Sequence, residues 1–227
     1  MKLVFKIDWL QVWDDVLSEE YCKKIVDIQK KELFNQPLVD PISEESKEAN
    51  KHRTSMQSFI KKDSNLDKDI NEKTYKLTNI PIENYEETSV IRYKEGQEYK
   101  LHNDYFFPER TWSPDSFNDE SDYEIAMSEG GNRISTALFI LDGNCEGGET
   151  YFPRLNNLLI KPKTGRVIIW QNIFSFKKIN YPFYNEFENT KYTLNEKSQH
   201  AGRPVISGEK WIATKWIRES KWKPNIK

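Results

Sequence analysis

The chain has 227 residues, 37% of them hydrophobic and 31% charged. That length suits one domain around one core, and a net charge of −2 excludes the basic excess of a nucleic-acid or anionic-membrane binder. No stretch approaches the roughly 20 apolar residues of a membrane span. Asp8 breaks the first apolar run, and two cysteines, Cys22 and Cys145, are too few for a disulfide framework. The expectation is a soluble cytoplasmic protein with free thiols.

Residues 3–12 (LVFKIDWLQV) alternate in part and predict a strand. Ser18 is placed to cap a helix over 19–34, with Glu19 and Glu20 in its first turn. Tyr21, Ile25, Ile28 and Glu32 fall on one stripe of it. Residues 35–53 are polar, contain Pro37 and Pro41, and predict a loop. A second helix is expected over 65–77, ending before Asn79-Ile80-Pro81.

From residue 88 short strand-like runs follow one another: 88–93, 98–103, 133–141, 149–152, 157–160, 166–170, 203–206 and 210–218. Such a series predicts a sandwich or barrel. Two long gaps, 105–131 and 171–198, have the length of functional lids. The first is acidic, carrying Glu109, Asp115, Asp119, Glu120, Asp122 and Glu124. It is either a solvated loop or a lid that attracts basic peptides.

The three histidines are His52, His102 and His200. His102 and Asp104 stand two apart at the end of a strand-like run, so both side chains point to one side. A third ligand from another strand would complete two histidines and a carboxylate on one face of a metal, a set that suits non-haem iron(II). His200, just ahead of an apolar strand, is the best candidate. A bare His-x-Asp is common on surfaces and a lone histidine is usually structural, so the combination carries the inference.

Ser207-Gly208-Glu209 can form a tight turn, making a hairpin of the flanking strands. Lys210 then shares a face with Ile212, Thr214 and Trp216. Pointing inward, its ammonium needs an anionic partner, which a dicarboxylate would supply; pointing outward, it is an ordinary surface lysine.

At these residues the chain resembles a family. RYKEGQEYKLHNDYF (92–106) is similar to the first metal motif of prolyl 4-hydroxylases, iron(II)- and 2-oxoglutarate-dependent dioxygenases. GGNRISTALFILDGNCEGGETYFP (130–153), KPKTGRVIIW (161–170) and HAGRPVISGEKWIATKWIRE (200–219) resemble their later segments in the right order. Arg53-Thr54-Ser55 matches a tripeptide ahead of the core. The resemblance covers residues 50 to 220 and looks most like small soluble bacterial or viral members.

The resemblance implies a mainly β (α+β) fold, a double-stranded β-helix or jelly roll flanked by N-terminal helices. Residues 1–227 would form one oxygenase domain, with helical support over 1–87 and the jelly-roll core over 88–220. It implies iron ligation by His102, Asp104 and His200, and pairing of Lys210 with the distal carboxylate of 2-oxoglutarate. Tyr93 and Thr150 match positions whose hydroxyls help bind that cosubstrate; core packing and turn formation are their rival roles. Trp216 matches a tryptophan near the substrate groove. Arg203 stands where a cysteine is common and Arg218 where a histidine is common, and both are candidates to face substrate.

The implied activity is hydroxylation of proline in peptides or proteins. Dioxygen is consumed, 2-oxoglutarate gives succinate and carbon dioxide, and ascorbate is the expected reductant. The same chemistry on another residue, free proline or a small metabolite remains open, as does a non-catalytic jelly-roll binding module. Nucleic-acid demethylases of the superfamily fit less well, because lysine rather than arginine fills the cosubstrate position and no basic surface is expected. Oligomeric state is not legible.

Overall fold

The computed structural model describes residues 1–35, 55–106, 120–175 and 192–224. His52, Arg53, Thr54, most of the 35–53 loop and the acidic residues Glu109, Asp115 and Asp119 lie outside them. Two sheets face each other, and two helices cover the outer face of the larger one.

The first predicted strand is instead a hairpin. β1 (Lys2–Ile7) turns at Asp8-Trp9 into β2 (Leu10–Asp14). In β2 Leu10, Val12 and Asp14 are buried, alternating with Gln11 and Trp13. Ser18 then accepts a bond from the Tyr21 amide and starts α1 (Glu19–Asn35). Its buried face is Cys22, Ile25, Val26 and Gln29, not the expected stripe, because Ile28 is exposed. Gln29 is buried because its side chain accepts the Ser58 hydroxyl proton at 2.7 Å. β3 (Met56–Phe59) follows, then α2 (Asn65–Thr78), capped by Ser64 and closed by Asn79 in the left-handed conformation.

The remaining strands are β4 (Ser89–Lys94), β5 (Tyr99–His102), β6 (Arg133–Asp142), β7 (Cys145–Gly147), β8 (Thr150–Phe152), β9 (Leu158–Ile160), β10 (Val167–Gln171), β11 (Ile173–Ser175), β12 (Tyr192–Leu194), β13 (His200–Gly202) and β14 (Val205–Arg218). The larger sheet runs β1-β2-β10-β6-β14-β4-β3, with β7 also paired to β14. The smaller runs β5-β13-β8-β9, and β11 and β12 pair separately. The first 87 residues therefore supply three strands of the large sheet as well as two helices. Within the two gaps read as lids lie α3 (Glu120–Ser128) and the β11–β12 pair.

The expected hairpin at Ser207-Gly208-Glu209 does not form. β14 is one continuous strand, pairing first with β7 through Val205–Gly208 and then with β4 and β6. Gly208 makes the passage possible: its φ is +84°, and a Cβ there would lie 2.9 Å from the Asn144 carbonyl.

Strand alternation sends two sets of side chains to opposite faces. Val90, Ala137, Phe139, Val167, Ile169, Trp211 and Ala213 pack under α1 and α2 against Ile25 and Ile70. Burying a residue such as Ile70 contributes about 1.5–3 kcal/mol. Leu10, Ile91, Leu138, Ile140, Ile168, Trp170 and Ile212 face inward, toward Phe152 and Ile160 of the small sheet. Among the described residues no helix is long and apolar enough to cross a membrane.

Candidate metal centre

His102 ends β5 and His200 begins β13, and the two are cross-strand partners. Their rings lie 4.2 Å apart. Tyr99 stacks on His102 at 3.5 Å; Trp170 and Phe152 bracket His200 at 4.6 and 5.7 Å. Each histidine uses the same local device. Nδ1 of His102 faces the Lys100 carbonyl at 2.7 Å, and Nδ1 of His200 faces the Ser198 carbonyl at 2.9 Å. A carbonyl only accepts, so both Nδ1 atoms carry the hydrogen and each neutral ring keeps its lone pair on Nε2.

Those two Nε2 atoms face Asp104, at 3.7 Å from Oδ1 for His102 and 3.9 Å from Oδ2 for His200. The spacings are too long for hydrogen bonds and leave room for a cation. All three donors lie within 4.8 Å of one another. Asp104 is buried, and Thr136 donates its hydroxyl to Oδ2 at 2.6 Å. Thr136 in turn accepts from the Asn172 amide at 2.9 Å. Burial pushes the Asp104 carboxyl up. The charge of the two histidines where they are protonated, together with the Thr136 hydroxyl, more than offsets that and leaves it below the ordinary carboxylate range. The donor set thus has two imidazole nitrogens and one ionised carboxylate, with outer partners fixing each donor. It fits a divalent cation such as iron(II).

Lys210 points into the space between the sheets and is 3% exposed. Its cross-strand partner is Tyr93, also buried, whose ring lies 5.6 Å from Nζ. Nζ donates to the Gly148 carbonyl at 2.6 Å. Gly148 has φ +67°, and a Cβ there would come within 3.1 Å of the Lys210 stem. Among the described residues Lys210 forms no ion pair with a carboxylate. Burial brings its pKa down to about 8, against the weaker upward pull of Cys145 and Glu149. Thr150 is buried at the start of β8 on the small sheet.

Trp216 is half-buried, with the Arg133 guanidinium 3.9 Å from its ring. Arg133 makes a two-pronged bond to Glu86 at 2.7 and 2.8 Å. Arg218 is buried rather than open to a groove. It pairs with Glu86 and donates to the carbonyls of Ala126 and Gly131 at 3.1 and 2.8 Å. Arg203 is exposed, 5.8 Å from the Tyr151 ring.

Sequence reasoning missed Thr136, Asn172 and the two carbonyls that fix the imidazoles. Thr136 has a weak signal, since it shares the inward parity of Leu138 and Ile140. Asn172 has none, because its partner is set by strand register.

Residues 88–218 match the family model of the 2OG-Fe(II) oxygenase superfamily. The chain is 31% identical over 211 residues to a putative prolyl 4-hydroxylase of Acanthamoeba polyphaga mimivirus, covering 93% of this chain and 74% of that one. It is 30% identical over 227 residues to prolyl 4-hydroxylase 2 of Arabidopsis thaliana, covering 91% and 66% respectively. Among solved structures, the viral collagen prolyl hydroxylase of Paramecium bursaria chlorella virus 1, in complex with 2OG, superposes with a TM-score of 0.64. The match is 26% identical and covers 92% of this chain and 96% of that one. The paired strands that bring His102 to His200, the carboxylate between them and these likenesses agree: the chain belongs to the 2OG-Fe(II) oxygenase superfamily, in its prolyl 4-hydroxylase family.

Proposed function

We propose that the protein hydroxylates proline within an extended peptide, with His102, Asp104 and His200 holding iron(II) and Lys210 binding the distal carboxylate of 2-oxoglutarate. The observation that carries this reading is Lys210 itself. It is a buried ammonium in the same inter-sheet space as the three metal donors, without an anionic partner among the described residues. An unpaired buried charge is costly, and a bound dicarboxylate removes that cost.

Iron(II), held by His102, Asp104 and His200, would activate dioxygen, the oxidant, with 2-oxoglutarate giving up two electrons as it is decarboxylated to succinate and carbon dioxide; one oxygen atom would go to succinate and the other to the hydroxyl on the substrate carbon. The protein's part is placement and charge. The Lys100 and Ser198 carbonyls hold both imidazoles with Nε2 toward Asp104. Thr136 restrains one carboxylate oxygen. Lys210, already donating one hydrogen to Gly148, keeps two for a carboxylate. Tyr93 and Thr150 line the same end and contribute hydroxyls. The apolar residues between the sheets exclude water from the reacting centre. Trp216, with Arg133 across its ring, offers an aromatic face to proline. Ascorbate serves as the reductant, and the thiols of Cys22 and Cys145 suit a reducing, cytoplasmic setting.

The test is succinate formation with iron(II), with and without a proline-rich peptide, against an Asp104→Ala control. Peptide-stimulated turnover that disappears in the control, with one oxygen atom gained on proline, supports the reading. Turnover that ignores the peptide reassigns the substrate. No turnover, with no binding of metal or 2-oxoglutarate, refutes it.

A further inference from the structure

Trp170 is 0% exposed, yet its indole Nε1–H meets no acceptor among the described residues. A buried indole N–H ordinarily finds a partner, because an indole can only donate and an unpaired buried donor is costly. The surroundings show why none is found. The ring's edge contacts are His200 at 4.6 Å and Phe152 at 5.6 Å, and its neighbour across β2 is Leu10. The polar neighbours are already engaged: Thr136, across β6, donates its hydroxyl to Asp104 and accepts from Asn172, and the Nδ1 of His200 is committed to the Ser198 carbonyl. Phenylalanine would satisfy these contacts, so packing alone does not explain the indole.

Its place in the sheet is informative. Trp170 is the direct cross-strand partner of Thr136, the residue that holds Asp104. On the other side of Thr136 lies Trp216, whose buried Nε1–H also lacks an acceptor among the described residues. One row of the sheet therefore brings a buried donor beside the metal-facing histidine, while Lys210 lies further back along β14. An occupant of this space that carries acceptor oxygens at both ends would meet Lys210 at one end and Trp170 at the other.

We propose that the indole N–H of Trp170 binds the 2-oxo-acid end of the cosubstrate, donating to one of its carboxylate or keto oxygens, opposite the carboxylate taken by Lys210. This rests on the pocket reading above. Those oxygens only accept, which matches a donor-only group, and a bond to an ionised acceptor is stronger than a neutral one. Trp170 is thereby a binding group for the cosubstrate as well as a wall for His200.

The experiment uses the full chain loaded with zinc(II), a diamagnetic and redox-inert stand-in. 2-Oxoglutarate is titrated by calorimetry into wild type and Trp170→Phe, and the indole 1H–15N resonances are followed during the same titration. There are seven tryptophans, and the Trp170 resonance is assigned from its proximity to the His200 ring. The expected result is a downfield shift of that resonance on saturation. The dissociation constant for 2-oxoglutarate should rise about ten-fold in Trp170→Phe, with zinc affinity unchanged. An unmoved resonance, or Trp170→Phe binding within about two-fold of wild type, overturns the proposal and leaves the indole to water or packing. The NMR arm on wild type decides the matter even if the variant does not fold. Wild type that binds no 2-oxoglutarate refutes the pocket reading and this proposal with it; failure confined to the variant comparison and the indole shift refutes only the proposal.

Discussion

Replacing Lys210 by methionine should destroy cosubstrate binding and stabilise the ligand-free fold. Burial lowers this ammonium from its ordinary 10.5 to about 8. At ~1.36 kcal/mol for each tenfold change in proton affinity, that gap corresponds to about 3 kcal/mol of strain at neutral pH. Methionine has a similar length and no charge, but it gives up the bond to the Gly148 carbonyl, worth about 1 kcal/mol. The net gain is about 2 kcal/mol, or a rise of roughly 4–8 °C in Tm for a chain of this size. The pH dependence has a definite sign. Because the folded pKa lies below the unfolded one, the unfolded state binds more protons between pH ~8 and ~10.5, and wild-type stability gains as pH rises through that window. The variant's advantage should therefore be complete at pH 7 and shrink by pH 9.5. Thermal melts of both proteins at the two pH values, with and without 2-oxoglutarate, test this; the cosubstrate should raise Tm only in wild type. A Lys210→Met protein less stable than wild type at pH 7 without ligand would refute the reasoning, showing the lysine to be compensated within the fold.

Thr136→Val removes the hydroxyl that restrains Asp104 and should weaken metal binding about 10- to 100-fold, measured by competition with a chromogenic chelator. Asp67→Ala strips the carboxylate from Lys215, which is 1% exposed and bonded to it at 3.2 Å; urea unfolding should show a loss of about 3–5 kcal/mol. Gly208→Val forces a branched side chain onto φ +84° and should cost about 1–3 kcal/mol in the same assay, with the loss of the β7–β14 pairing visible in amide exchange.

How much of this was legible depends on how local the signal is. The start of α1 could be read because a single hydroxyl, on Ser18, closes its cap within its own turn; Ser64 caps α2 in the same way, although only the end signal at Asn79-Ile80-Pro81 was used to place that helix. The clustering of the candidate metal donors was legible because His102 and Asp104 are two apart on one chain and His200 is one of only two other histidines. The helix stripe was misplaced because Gln29, polar in any sequence-based scheme, is buried by a bond to Ser58, a residue in another element. The hairpin at Ser207 was a reasonable reading of Ser-Gly-Glu. Gly208 serves equally to bend a continuous strand, and only the remote partner β7 decides between the two. β3, β7 and β13 are too short to show a period. The outer partners of the metal donors depend on which residues of distant strands fall opposite one another, and register of that kind leaves no local trace.

Arg218, which stands where the resemblance places a histidine, ties three segments together. An imidazole is too short to reach Glu86 and two carbonyls of the neighbouring segment at once. The guanidinium spans that distance, donating to Ala126 in α3 and to Gly131 just beyond it while pairing with Glu86. A cation near the C-terminal end of a helix is favourably placed against the helix dipole. Glu86, buried and carrying both Arg218 and Arg133, holds its carboxyl below the ordinary range despite the upward push of burial, because the two guanidiniums outweigh it. The consequence reaches the site through Arg133. Its bidentate grip on Glu86 fixes its plane, and that plane lies over Trp216 at 3.9 Å and Phe106 at 4.9 Å. Phe106 is two residues beyond Asp104, and its amide and carbonyl are both tied to Asn132. The charge at 218 thus couples α3, through Glu86 and Arg133, to the aromatic pair Phe106 and Trp216.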